Sequence, residues 1–506
     1  MANSEQMIKK KLRVGDIISN QQIEQWKDGD VITISAGTGA GKSYFIKNIL
    51  FSYAKDEGKK ILMLIHRTNC VDQFKAEIKR DGKEKYIDIM TYQAIETREL
   101  YHYGLDMSQY KYIVCDEFHY FIGDASFNKT TDISFENIMK QTHATRIFMS
   151  ATGDSMKRYM NSVRKINSID YELPLDFSFI DTLTFYNKDD TLYAFADEAI
   201  QRNHKAIFFI QSATKAYKLY KKYEKYSMFV CGKSDDHYNC VNVEKLNTML
   251  IEEKFNELFL ITTSCLDAGV NIIDKELGHI VIDIKDIGSL IQCMGRKRIQ
   301  GEEKIHVNIK TINNQQLGGL ETNTKKNIQM ADYLRKHTLK EFFDKYPRDH
   351  DKSNIIYDEY TDNDNIIKKV NELMYFKRKF DIAEYEFMKT WGKFGYCKYL
   401  ANKFGFYDED SDSFSYRTIN EDHSLMTYLD TMIGKVMLMR RDRIELIEKI
   451  NLRGDGRLRK NCEALNIELA TRELNYKIIE FETSRMIDGK KKKYKSAWRV
   501  EYVSVS

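Results

Sequence analysis

Short apolar runs alternate with mixed apolar-polar stretches from Asp28 to about residue 175. The runs Val31–Ser35, Lys60–Ile65, Ile87–Thr91, Tyr112–Asp116 and Arg146–Met149 read as strands. Each ends where a polar motif begins, and the stretches between them carry apolar residues at helical spacing. This is the rhythm of a parallel sheet with crossover helices, in which chemistry gathers at the carboxyl ends of the strands. After a connecting stretch around Leu173–Thr184 the rhythm resumes, with predicted strands at Ala206–Ile210, Ser227–Cys231, Leu258–Thr262, His279–Asp283 and Lys304–Ile309. A second α/β unit ending near residue 315 is therefore expected.

The pattern then changes. Residues 316–420 are rich in helix formers, aromatics and charges, interrupted by acidic stretches around Tyr357–Asp364 and Tyr407–Ser415. Leu425–Ile450 has helical apolar spacing, and Asn475–Phe481 and Tyr494–Val503 read as two strands around the turn dipeptide Asp488-Gly489. The expected domains are 1–178 and 179–315 for the two α/β units, 316–423 for a helical accessory region, and 424–506 for a basic C-terminal domain.

Composition narrows the picture little. A formal net charge of +4 over 506 residues excludes a global field for polyanions, so any basic surface is local. The eight cysteines form no C-x-x-C pair, and Cys231, His237 and Cys240 have the wrong spacing for a zinc knuckle. A reduced cytoplasmic chain without a structural metal is expected. Residues 1–11 lack the apolar core of a signal peptide, and no apolar stretch has the length of a membrane span. Scarce proline with abundant Lys, Ile, Asn and Tyr fits an AT-rich coding genome.

The chemistry begins at Ala36-Gly37-Thr38-Gly39-Ala40-Gly41-Lys42-Ser43, set between a predicted strand and a predicted helix. Glycines there permit positive φ and close backbone approach, so that N–H groups and a helix N-terminus point at an anion. Lys42 would reach the terminal phosphates of a nucleotide and the Ser43 hydroxyl would hold Mg²⁺. The first position is Ala where the strict pattern has Gly. About 75 residues downstream, Tyr112–Cys115 leads into Asp116-Glu117-Phe118-His119. Two carboxylates at a strand tip fit a division of labour: Asp116 for Mg²⁺, Glu117 to orient and deprotonate the attacking water.

Taken together these motifs resemble the DExH-box helicases and translocases of superfamily 2, over roughly residues 30–310. The resemblance implies two tandem RecA-like domains that bind ATP between them and grip a nucleic-acid strand. It assigns Ser150, Ala151 and Thr152, together with His119, to coupling ATP state to strand binding. His66, Arg67 and Thr68, Thr91 and Gln93, Gln211 at the end of Phe208–Ser212, and Thr262 and Thr263 become strand contacts. Asp267-Ala268-Gly269-Val270-Asn271 resembles the segment between ATP and nucleic acid, with Gly269 at the nucleotide. Gln292-Cys293-Met294-Gly295-Arg296-Lys297-Arg298 resembles the Q-x-x-G-R-x-x-R motif whose Gln and Arg side chains reach the γ-phosphate from the second domain, which assigns Gln292 a catalytic role beside the arginines. The second arginine is expected where Ile299 stands. Arg296 is therefore the first candidate, Arg298 the second, with Lys297 as a further alternative. No adenine-reading glutamine arrangement is found in Val14–Trp26.

No motor motif accounts for residues 316–506. Their strongest signal is Lys490–Lys493 with Tyr494 and Trp498, where Lys491, Lys492 and Lys493 would lie along phosphates and a ring would stack on a base. The alternative is a solvated edge hairpin whose lysines discourage aggregation, with Trp498 facing the core. Helix, helix and hairpin loosely resemble a winged-helix arrangement. The expectation is an ATP- and Mg²⁺-dependent helicase or translocase on single-stranded or forked DNA. It would serve a phage or mobile element in a bacterial cytosol, with a replication or recombination protein as partner. RNA as substrate, or an NTP-gated binding or loading protein without unwinding, are the alternatives.

Overall fold

The computed structural model describes residues 12–66, 68–123, 128–266, 270–347, 355–360, 366–419, 421–454, 457–472, 474–487 and 490–503. The first α/β unit contains β1 Val31–Ser35, β2 Lys60–Ile65, β3 Ile87–Thr91, β4 Tyr110–Asp116, β5 Thr145–Ser150 and β6 Ser168–Glu172. They form one six-stranded sheet in the order β3-β2-β4-β5-β1-β6, and every adjacent pair is parallel. Alternate residues enter two separate cores. Ile32, Ile34, Met63, Val114 and Ile147 pack on one face, while Leu62, Leu64, Ile113, Cys115 and Phe148 pack on the other. Burial on both faces is why β1, β2, β4 and β5 read as unbroken apolar runs. Each fully buried Ile, Leu or Phe side chain contributes about 1.5–3 kcal/mol. The register sets Ser35 beside Ser150 and Asp116 beside Met149, which brings the carboxyl ends of β1, β5 and β4 together.

The second unit contains β7 Ile180–Tyr186, β8 Lys205–Ile210, β9 Ser227–Val230, β10 Phe259–Thr262, β11 Leu277–Asp283 and β12 Ile305–Lys310. Their order in the sheet is β7-β12-β11-β8-β10-β9, with the β12-β11, β11-β8, β8-β10 and β10-β9 pairs parallel. Two tandem parallel-sheet units are therefore present, as expected. The structure adds β6, just before the stretch read as connection, and β7, which begins within it. β6 is an exposed edge strand of mixed polarity, held by Thr33 Oγ1 donating to Asp170 at 2.5 Å and by the Lys157–Asp170 ion pair at 2.9 Å. Such a strand has no apolar signature.

Four helices, Asn314–Lys336, Leu339–Lys345, Glu372–Thr390 and Gly395–Lys403, make up most of the accessory region. The acidic interruption contains an antiparallel hairpin, β13 Ile356–Tyr360 and β14 Ile366–Val370. Its charges pair across the strands, Asp358 with Lys368 at 2.5 Å and Glu359 with Lys369 at 2.9 Å. An acidic run looks like a loop until the lysines opposite it are known. Helix Glu372–Thr390 touches both α/β units. Its cap Asn371 donates to the Lys129 carbonyl at 2.9 Å, Leu373 joins a core of the first sheet, and Met388 joins the core of the second.

The chain divides into two compact units, Met1–Phe185 with Asp189–Arg417, and Tyr186–Lys188 with Thr418–Ser506. In the smaller unit the stretch Leu425–Ile450 with helical apolar spacing is covered by two helices, Glu421–Met432 and Ile444–Ile450. Between them Gly434, at φ 75°, turns the chain into the short strand Val436–Met437. Helix Cys462–Thr471 and the strands Tyr476–Ile487 and Lys490–Tyr502 follow, giving a three-stranded antiparallel sheet. Helix, strand, two helices and hairpin extend the winged-helix-like order read from the sequence. The Asp488-Gly489 turn lies outside the described residues. Among the described residues no helix is long and apolar enough to cross a membrane.

Candidate nucleotide site

The loop after β1 has the backbone that its glycines dictate. Gly39 and Gly41 sit at φ 80° and 86°, and Gly41 caps the helix that begins at Lys42. Lys42 is 8% exposed, and its ammonium donates to the carbonyls of Ala36 at 2.8 Å and Gly37 at 3.2 Å. A phosphate in the loop would compete for the same ammonium. Upstream, the Val14 N–H donates to the Ala40 carbonyl at 2.9 Å, which pins residues 13–18 to the loop. No motif announces that segment.

At the tip of β4, Glu117 adopts φ 51°, a left-handed conformation costing about 1–3 kcal/mol for a non-glycine residue. The turn places its carboxylate among the expected coupling residues. Glu117 Oε2 lies 3.3 Å from His119 Nδ1 and accepts from Ser150 Oγ at 3.4 Å. His119 Nδ1 and Ser150 Oγ are 2.9 Å apart, and the Thr152 N–H donates to Ser150 Oγ at 3.0 Å. Burial opposes the Glu117 charge. Lys42, the His119 hydrogen bond and Arg296 outweigh it and hold the carboxyl well below its ordinary range. Asp116 is pushed the other way, to about 7, by burial and then by the Glu117 charge beside it. A buried carboxylate that resists ionisation beside a second carboxylate is the kind of oxygen donor that a hard cation would stabilise.

The second unit completes the site. Gln292 Nε2 donates to Thr152 Oγ1 at 3.1 Å across the cleft. A Cβ on Gly295 would lie 2.7 Å from Thr38 Oγ1, so only glycine allows this approach to the loop. The three basic residues that follow have different fates. Arg296 is 3% exposed and turned into its own unit, donating to the Gln292 carbonyl at 3.0 Å, Gln292 Oε1 at 2.9 Å and the Val270 carbonyl at 3.3 Å. Lys297 is buried and engaged by the Asp274 carbonyl at 2.6 Å and by Glu303 at 2.7 Å. Arg298 donates through Nε to Asn271 Oδ1 at 2.7 Å, and its buried Nη1 has no hydrogen-bond partner among the described residues. That Nη1 lies 3.8 Å from where a Cβ on Gly39 would stand. Burial, and then Arg296 nearby, lower the Arg298 pKa to about 10. In this conformation it is Arg298 that faces the loop and Arg296 that turns away from it, the reverse of the order read from the motif.

The other expected residues divide sharply. His66 is buried, its ring 6.0 Å from His119, and its carbonyl accepts from Gln93 Nε2 at 3.1 Å. Thr91 caps helix Tyr92–Leu100 by accepting from the Ala94 N–H at 3.1 Å. Thr262 and Thr263 are buried and bond within their own loop, so neither offers its hydroxyl to a strand in this conformation. Gln211 is exposed at the end of β8, accepting from the Lys285 N–H at 3.3 Å. Arg67, the side chain of Thr68, and Gly269 lie outside the described residues. In the smaller unit Lys491, Lys492 and Lys493 are exposed, and Lys493 pairs with Glu482 at 2.6 Å. Trp498 belongs to the core, with the Arg443 guanidinium 4.3 Å from its ring, so it is no platform for a base. Tyr502 remains exposed, edge-on to Tyr476 at 5.5 Å.

No family model matches the chain, and no curated protein matches it. Among solved structures it is similar to Mss116p bound to ssRNA and AMP-PNP, at 15% identity over 57% of this chain and 67% of that one, with a TM-score of 0.42. It is also similar to the DUF1998 helicase MrfA bound to DNA and AMPPNP, at 17% identity over 57% of this chain and 47% of that one, with a TM-score of 0.43. The Escherichia coli DEAH/RHA helicase HrpB matches at 13% identity over 57% of this chain and 41% of that one, with a TM-score of 0.38. The chain thus spans less than half the length of the latter two. Likeness this distant assigns this chain neither a substrate nor a residue's role.

Proposed function

We propose that the chain is an ATP-driven motor on nucleic acid, most directly a helicase or translocase acting on single-stranded or forked DNA. One observation carries the reading. A phosphate-binding loop on the first sheet is faced, from the second, by a buried guanidinium with a donor to spare. Arginine stays charged and pairs in a planar fork with phosphate oxygens, so a nucleotide in the loop would satisfy Arg298 Nη1. A nucleotide held from both sides ties the two units together, and its hydrolysis releases that tie. This is how a chemical cycle moves one unit against another.

In this scheme Lys42 neutralises phosphate charge, Glu117 takes the proton of the attacking water, and Arg298 stabilises charge in the transition state. Asp116 and Ser43 would hold Mg²⁺, which supplies further neutralisation of phosphate charge. Ser150 bonds both Glu117 and the Thr152 backbone, and Thr152 bonds Gln292. A shift of the second unit is thereby passed to the catalytic carboxylate.

The test is ATP-driven displacement of a labelled strand from forked DNA by the full chain. Lys42→Ala should cost at least about 10²-fold in ATP turnover, with the circular dichroism spectrum unchanged. Turnover near the wild-type rate in the folded variant would remove the loop from the mechanism.

The basic hairpin is proposed as a strand-binding surface of the smaller unit. Changing Lys491, Lys492 and Lys493 together to Glu should weaken binding to single-stranded DNA and flatten its salt dependence. The slope of log affinity against log salt falls by about 0.7 for each phosphate that the hairpin no longer neutralises. Lys493 is partly neutralised by Glu482, so Lys491 and Lys492 should carry most of the effect. Unchanged affinity and slope would make the hairpin a solvated edge.

A further inference from the structure

We propose that Asn271 is the positioning residue for Arg298, and that Glu253 in turn fixes Asn271. The inference rests on the reading that the cleft hydrolyses ATP. Asn271 lies on the segment entering β11, and three features hold it against the arginine. The Ile272 N–H donates to the Arg296 carbonyl at 2.9 Å and the Arg298 N–H donates to the Ile272 carbonyl at 2.9 Å, so the two segments are clipped together through the backbone. The Asn271 Oδ1 then accepts from Arg298 Nε at 2.7 Å and also from Nη2. Its Nδ2 donates to Glu253 Oε1 at 3.0 Å.

The chemistry of each atom gives the chain Glu253–Asn271–Arg298 a direction. A carboxylate only accepts, so Glu253 draws the NH₂ end of the amide to itself. The carbonyl end must then face the guanidinium. With Nε and Nη2 occupied, the fork is oriented so that Nη1 is the donor left over, and it is the atom beside Gly39. Glu253 is itself held by backbone geometry: it closes helix Val243–Glu252 at φ 55°, and its carbonyl accepts from the Ile273 N–H at 2.6 Å. Neither Glu253 nor Asn271 belongs to the set that touches the loop. Their effect on turnover would pass through Arg298.

The polarity of the chain makes the test specific. Asn271→Leu keeps the branched shape and removes all three side-chain bonds, so kcat should fall by about 10²-fold, the cost of misplacing a catalytic group by about 1 Å. The Kd of a fluorescent ATP analogue should change little, because Lys42, Ser43 and Asp116 are untouched. Asn271→Asp should also be impaired, since two carboxylates then face each other. Adding Glu253→Gln to Asn271→Asp supplies an amide donor in reversed polarity, and kcat should recover most of the loss. Glu253→Gln alone keeps an acceptor for Asn271 but no longer dictates which end of its amide faces Arg298, so kcat should fall by less than in Asn271→Leu. Wild-type kcat in Asn271→Leu, or no recovery in the double variant relative to Asn271→Asp, would overturn the assignment. Absence of ATP turnover in the wild-type chain itself would instead overturn the reading of the cleft.

Discussion

Glu117→Gln is expected to bind ATP and hold it. The loss of rate should be in the range of about 10²–10⁴ that a general base contributes. The amide has the size of the carboxyl and keeps an acceptor for Ser150 Oγ, so the contacts around it survive. The left-handed backbone at φ 51° is no more strained for Gln than for Glu. What disappears is the proton acceptor. Burial is the larger cause that pushes Asp116 up to about 7, and removing the Glu117 charge relieves the repulsion that adds to it, so cation-dependent nucleotide binding should persist or tighten. Single-turnover hydrolysis measured beside analogue binding separates the two effects. Hydrolysis at the wild-type rate would mean that another group takes the proton.

Arg298→Ala is expected to cost about 10³-fold in nucleic-acid-stimulated hydrolysis, at the lower end of what an arginine finger supplies. Arg296→Ala should act differently. Arg296 holds the Gln292 carbonyl, Gln292 Oε1 and the Val270 carbonyl, all within its own unit. Its loss leaves buried acceptors unsatisfied, about 1–3 kcal/mol each, so the variant should melt at a lower temperature while keeping more of its turnover. Melting temperature and kcat measured on both variants distinguish a finger from a brace. A stable Arg296→Ala with the larger loss of kcat, beside a nearly active Arg298→Ala, would restore the order expected from the motif.

That reversal shows where the sequence was legible. The strands β1, β2, β4 and β5 are buried on both faces, so their apolar runs were visible and their ends carried the loop, Asp116-Glu117 and Ser150. The side chains at those ends could be named because parallel sheets gather function there. The rotation of two arginines two residues apart could not be named. It depends on Asn271, which lies 27 positions before Arg298 and meets it only through folding. Edge strand β6 and hairpin β13–β14 were missed for a related reason: their polar residues are satisfied by partners on other segments. Thr262 and Thr263 were named as strand contacts, yet both side chains are buried in their own loop.

Phosphate release from ATP and Mg²⁺ by the full chain, measured in parallel without nucleic acid and with single-stranded DNA, duplex DNA or RNA, tests the central claim most directly. The account predicts turnover that rises on adding single-stranded DNA and vanishes in Lys42→Ala. Turnover that ignores every nucleic acid, or that survives the loss of Lys42, would contradict it.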